Sequence, residues 1–160
     1  MREMEMKGFR TFSREETVEV GRLLGSLLKK GDIVCITGDL GTGKTVFVNG
    51  IAQALGISEH ITSPTFTIVN EYDSATMLYH FDVYRISDAE EMFEIGFDEY
   101  LYGEGIVVIE WAELIKELIP EQNIWITIKK ELASGVDARI IEVRLNGEKY
   151  REYEERINRK

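Results

Sequence analysis

Gly38, Gly43, Lys44 and Thr45 stand at the spacing G-x-x-x-x-G-K-T inside "GDLGTGKT", residues 38–45. Residues of these types at this spacing can hold a polyphosphate. Glycine lets consecutive backbone N–H groups turn toward one point, and Gly41 and Gly43 sit where a side chain would obstruct that cradle. Lys44 carries a point charge long enough to reach the β- and γ-phosphates, and the Thr45 hydroxyl is placed to ligate Mg²⁺. An ordinary glycine turn is the competing reading. The flanking segments argue against it. The apolar run "DIVCIT" (32–37) precedes the loop as a buried strand, and "KTVFVNGIAQAL" (44–55) continues as a helix that stops at Gly56. Strand, loop and helix therefore follow in the order the mechanism needs, with the positive end of the helix aimed at the phosphates.

A magnesium-bearing triphosphate site also needs an acid near the end of an apolar strand. Two segments offer one. "IVVIE" ends in Glu110, which could hold the metal or cap the following helix. "LYHFD" ends in Asp82, which could stand by the metal or be a solvent-facing strand acid; Leu78, His80 and Asp82 share one face of that strand. In "TSPTFT" (62–67), Pro64 holds Ser63 extended. Thr65 then lies on a loop able to reach the γ-phosphate and metal, unless this is only a proline turn. Trp111 fills the core, covers the site or meets a partner. Arg85, the lone arginine between positions 47 and 138, suits phosphate charge and a surface ion pair equally. His80 reads as a satisfied strand residue, Cys35 as a small core hydrophobe, and Tyr150, Tyr153 and Ile157 as a packing stripe.

These residues need a scaffold. "MKGFRTF" (6–12) reads as a short strand. In "SREETVEVGRLLGSLLKKG" (13–31), Ser13 and Glu16 form a capping-box pair, and Val20, Leu23, Leu24, Leu27 and Leu28 recur at helical spacing up to Gly31. "TFTIVNEYD" and "TMLYHFDVY" read as an antiparallel pair of strands. "SDAEEMFEI" (87–95) reads as a short helix capped by Ser87 and Glu90, "GIVVIEW" (105–111) as a buried strand, and "AELIKELI" (112–119) as a helix ended by Pro120. "NIWITIKK" and "ARIIEVRL" read as two late strands joined by a turn around Ser134 and Gly135, and "GEKYREYEERINRK" as a terminal helix. The sum is an α/β fold with parallel strands around the loop and antiparallel additions at the margins. At 160 residues, without repeats or a low-complexity linker, one nucleotide-binding domain over residues 1–160 is expected.

Composition narrows the partners. There are 19 Lys and Arg against 29 Asp and Glu, a formal charge of −10. Such a surface repels bare nucleic acid and could dock a basic partner. A single cysteine excludes an internal disulfide and a cysteine metal cluster. No apolar run approaches the length of a membrane span and the first residues lack a signal-peptide core, so a soluble cytoplasmic chain is expected.

The loop alone fits kinases, GTPases, motor ATPases and regulators. A small-molecule kinase usually needs several arginines on its lid and acceptor site, a region where this chain is nearly arginine-free, and the guanine-reading string N-K-x-D is missing. A weak ATPase dependent on partners and a nucleotide-gated module without significant turnover remain, with a small-molecule P-loop kinase behind them.

"GDLGTGKT", "SPTFTIVNEY", "YHFDVYR" and "IEWAE", in this order and spacing, resemble the bacterial TsaE (YjeE) family over nearly the whole chain. The resemblance implies a P-loop NTPase-like three-layer sandwich around a mixed, partly antiparallel sheet. It implies an ATP-binding subunit, using Mg²⁺, in the formation of N6-threonylcarbamoyladenosine on tRNA. That subunit would join a TsaD–TsaB heterodimer, touch tRNA only through the complex and leave carbamoyl transfer to TsaD. By motif match, Leu40, Gly41, Thr42, Gly43, Lys44 and Thr45 would hold the phosphates, and Thr45 and Glu110 the magnesium. Asp82 would lie by the metal, Thr65 would act as the switch residue and Trp111 would belong to the same cluster. Adenine contacts are implied near Arg14 and Gly135.

Overall fold

The computed structural model describes residues 6–64 and 67–158. Seven strands form one sheet: β1 (Met6–Thr11), β2 (Ile33–Thr37), β3 (Val69–Tyr72), β4 (Leu78–Asp82), β5 (Ile106–Glu110), β6 (Asn123–Lys130) and β7 (Arg139–Asn146). Their spatial order is β1-β7-β6-β2-β5-β4-β3. β6, β2, β5 and β4 run parallel, while β3 pairs antiparallel with β4, and β7 antiparallel with β6 and β1. Parallel pairing requires crossovers, and those crossovers cover both sheet faces. The central strands are accordingly apolar on both sides. Val34, Ile36 and Val108 pack into one core with Phe47, Ile51 and Leu24; Ile33, Cys35, Val107 and Ile109 pack into another with Phe81, Phe97 and Ile115. The fold is thus mixed α/β, as expected, with helical segments on either side of the sheet. Burial pushes the Cys35 thiol far above its ordinary pKa, in keeping with a core hydrophobe.

Helix α1 spans Arg14–Gly25, α2 spans Lys44–Ala54, α3 spans Glu91–Glu94, α4 spans Phe97–Leu101 and α5 spans Arg151–Asn158. Ser13 caps α1 by accepting from the Glu16 N–H at 3.1 Å, and the Glu16 carboxylate reaches back to the Phe12 N–H at 2.7 Å. The apolar periodicity overstates α1, which stops at Gly25 rather than running to Gly31. There the Ser26 hydroxyl donates to Leu23 O, and Leu27 and Leu28 follow in a tighter turn while remaining buried. Three further differences are local. α3 begins at Glu91, because the Glu91 carboxylate, not that of Glu90, receives the Ser87 and Asp88 N–H groups. α4 has no counterpart in the sequence reading. Ala112–Leu118 forms 3₁₀ turns kinked at buried Ile115 instead of an α-helix, entered from Trp111 at φ 63°.

Helices α1 and α2 touch through glycine. A Cβ on Gly50 would lie 2.2 Å from Val18 O, and one on Gly21 would lie 2.2 Å from Phe47 O. Their close approach fixes where α2 starts, and α2 starts at the glycine loop of residues 38–43. At the opposite end of β2, fully buried Asp32 accepts from the Tyr153 hydroxyl at 2.7 Å and the Lys29 N–H at 2.8 Å, and pairs with Lys149 at 3.3 Å. This polar cluster anchors α5, and Tyr150, Tyr153 and Ile157 are buried as a packing stripe. Among the described residues no helix is long and apolar enough to cross a membrane.

Candidate nucleotide-binding site

The loop from Gly38 to Gly43 joins the end of β2 to the start of α2. Gly43 occupies the helix N-cap at φ 103°, a conformation that side chains rarely adopt, and so brings the first turn of α2 toward the loop. Lys44 follows at once. Its ammonium donates to Gly38 O at 2.6 Å and Asp39 O at 2.8 Å, and lies 4.2 Å from the centre of the Trp111 ring. Burial lowers the Lys44 pKa, against the opposing pull of Glu110, Glu113, Asp82 and Asp39. A phosphate ligand would restore the compensation that burial removes.

Strands β4 and β5 bring the two acids together, with Asp82 paired to Glu110 across the parallel ladder. The Thr45 hydroxyl lies 3.0 and 3.1 Å from the two Glu110 carboxylate oxygens. On its other side, buried His80 contacts Glu110 Oε2 through Nε2 at 2.6 Å, while its Nδ1 has no hydrogen-bond partner among the described residues. Facing a carboxylate, Nε2 carries the proton. Asp82 accepts from the Tyr84 N–H at 3.0 Å and from the Ser63 hydroxyl. A cleft of about 330 Å³ opens over these groups, lined by Leu40, Gly41, Gly43, Lys44, Thr45, Val46, Ser63, Asp82, Glu110 and Trp111.

The donor set fits magnesium rather than a soft metal. Thr45 and Glu110 present hard oxygens, and Asp82 stands beside them. Among the described residues no group of three or more His, Cys, Asp or Glu side chains forms a metal cage. Magnesium ordinarily takes one or two carboxylates and completes its shell with phosphate and water.

Most of the residues singled out from the sequence therefore meet in one place: Leu40, Gly41, Gly43, Lys44, Thr45, Asp82, Glu110 and Trp111. Thr42 does not line that cleft; it is buried, and its hydroxyl donates to Asp39 O at 2.9 Å. Thr65 lies outside the described residues. Arg85 is exposed and does not line the cleft. Trp111 does line it, with its ring 4.6 Å from that of Tyr84. His80 is a satisfied strand residue, as read from the sequence, but its partner Glu110 lies on a neighbouring strand, which alternation within one strand cannot reveal. Arg139 was also missed. It lies with Ser13, Arg14, Thr17, Thr42 and Asp137 around a second cleft of about 210 Å³ that shares Gly41, Gly43 and Val46 with the first. Arg14, implied at the adenine, lines this second cleft; Gly135 lies two residues before Asp137 in the β6–β7 turn.

The sequence profile of the family described as Threonylcarbamoyl adenosine biosynthesis protein TsaE matches residues 11–140. The chain belongs to the TsaE family. Members of that name include one from Bacillus subtilis, 41% identical over 157 residues, covering 98% of this chain and 96% of that protein. Another, from Treponema pallidum, is 45% identical over 123 residues, covering 77% and 90% respectively. Both are called tRNA threonylcarbamoyladenosine biosynthesis protein TsaE. The crystal structure of Bacillus subtilis YdiB superposes with a TM-score of 0.81 at 38% identity, covering 99% of this chain and 98% of that one. The TsaE profile contains the whole cleft, from the phosphate loop to Trp111, and reaches Arg139.

Proposed function

We propose that this TsaE-family protein is a P-loop NTPase-like subunit that binds ATP with Mg²⁺ and hydrolyses it slowly. Its role is in forming N6-threonylcarbamoyladenosine on tRNA, together with a TsaD–TsaB heterodimer. The observation that carries the reading is the cradle: Lys44 held over the loop by two carbonyls, with Thr45 against Glu110 at its base. The names of the TsaE relatives support the pathway.

On this reading the backbone from Leu40 to Thr45 and the Lys44 ammonium hold the phosphates. Thr45 and Glu110 hold the magnesium, and His80 fixes the Glu110 carboxylate from behind. Asp82, restrained by Ser63 and the Tyr84 N–H, stands ready to hold metal-bound water. Thr65 acts as the switch residue. ATP supplies a cleavable phosphoanhydride, and magnesium the charge that neutralises it. The acidic surface leaves tRNA to the partners, and one domain spans the chain in the cytoplasm.

Calorimetric titration of the purified protein with Mg·ATP is expected to give one site per chain, and the absence of heat would remove the proposal. Glu110→Ala is expected to retain most ATP binding but to lose at least about tenfold of magnesium-dependent turnover, in assays with the TsaD–TsaB pair present. Undiminished turnover in that variant would take the metal role from Glu110.

A further inference from the structure

Arg139 begins β7, where it is paired with Lys130 on one side and Thr11 on the other. Its guanidinium reaches two separate loops. Nε donates to Thr42 O at 2.7 Å and Nη2 to Gly41 O at 3.3 Å, both in the phosphate loop. Nη1 donates to Val136 O at 2.9 Å and Ala138 O at 3.0 Å, both in the β6–β7 turn. Arg139 does not line the cleft that holds Lys44, Thr45 and Glu110.

Peptide geometry gives these contacts a consequence. In a trans peptide the C=O and the following N–H point in opposite directions. Holding Gly41 O and Thr42 O therefore turns the N–H groups of Thr42 and Gly43 away from Arg139. Thr42 N–H is directed back to Asp39 O at 3.3 Å, inside the loop. Gly43 N–H belongs to the residue that caps α2 and lines the cleft above Thr45. Lys44 grips the same loop from its other half, through Gly38 O and Asp39 O. Two cations thus hold the two halves of the loop by its carbonyls, and of the two only Lys44 lines the cleft with Thr45 and Glu110.

We propose that Arg139 is a positioning residue of the nucleotide site. It orients the Gly43 N–H toward the phosphates and makes the β6–β7 turn part of the cradle. This rests on the nucleotide reading above. The rigid planar fork suits the role, because one group spans four carbonyls of two loops. A lysine offers a single ammonium and grips fewer of them.

The test uses the full-length protein and two measurements. Calorimetry with Mg·ATP is expected to show roughly tenfold weaker binding for Arg139→Ala, the size expected for lost charge-assisted hydrogen bonds, with Arg139→Lys in between. Proton–nitrogen NMR spectra are expected to show the Gly43 amide displaced in the free Arg139→Ala protein and less responsive to Mg·ATP. If Arg139→Ala does not fold, Arg139→Gln is judged by the same criteria. A variant that only melts earlier, with wild-type affinity and a wild-type Gly43 response, overturns the proposal and leaves the nucleotide reading standing. A wild-type protein that itself takes up no Mg·ATP overturns both.

Discussion

Lys44→Ala is expected to abolish measurable Mg·ATP binding, weakening it by at least about a hundredfold. Among the described residues the ammonium is the one cation lining the cleft that contains Thr45 and Glu110. Its interaction with a polyphosphate in a partly desolvated site corresponds to roughly 3 kcal/mol or more, and each 1.4 kcal/mol is about tenfold in affinity. The effect on folding should be far smaller. In the free protein the ammonium bonds Gly38 O and Asp39 O, but burial works against its charge, as the lowered pKa records. These contributions offset one another, so the variant should stay within about 1 kcal/mol of wild type in urea unfolding. Calorimetry checks the first claim. An affinity equal to wild type would show that the lysine does not face the phosphates.

Gly50→Ala should be among the most damaging small substitutions in the protein, although it adds one methyl group to a helix. On propensity alone alanine would stabilise α2 by up to about 1 kcal/mol. The packing term opposes this and wins. The new Cβ would lie 2.2 Å from Val18 O and 2.8 Å from Arg22 N, both backbone atoms of α1 that cannot move without the helix. Separating α1 from α2 is expected to cost about 2–4 kcal/mol net and lower the melting temperature by roughly 5–15 °C. Because α2 opens at Lys44, nucleotide affinity should fall as well, though less than in Lys44→Ala. A melting temperature at or above wild type would mean that the helices can part freely and that their contact does not set the loop.

The position of the phosphate loop between a strand and a helix was legible because it is a local property. Gly38 to Thr45 are contiguous, and the apolar runs on either side announce their elements by period and length. The hairpin of β3 and β4, the buried β5 and the late strands β6 and β7 could be read for the same reason. Capping was harder. Ser13 capped its helix as its spacing suggests, but the carboxylate that receives the Ser87 N–H belongs to Glu91, one residue beyond Glu90. Neighbouring acids differ only in where the backbone points them. The end of α1 was misplaced because Leu27 and Leu28 keep the helical spacing in a turn that is no longer α-helical, and burial does not distinguish the two.

By itself, then, the order of residues determined the glycine loop between its strand and helix, most of the strands and the resemblance that leads to TsaE. These depend on neighbours in the chain. Only the tertiary structure set Asp82 beside Glu110, closed His80 onto the back of that carboxylate, and stretched Arg139 across 97 positions to Thr42 O. Parallel strands meet through crossovers of dozens of residues, so which side chains share a face is decided by the packing of helices on the sheet. One dimension of sequence carries no measure of that distance.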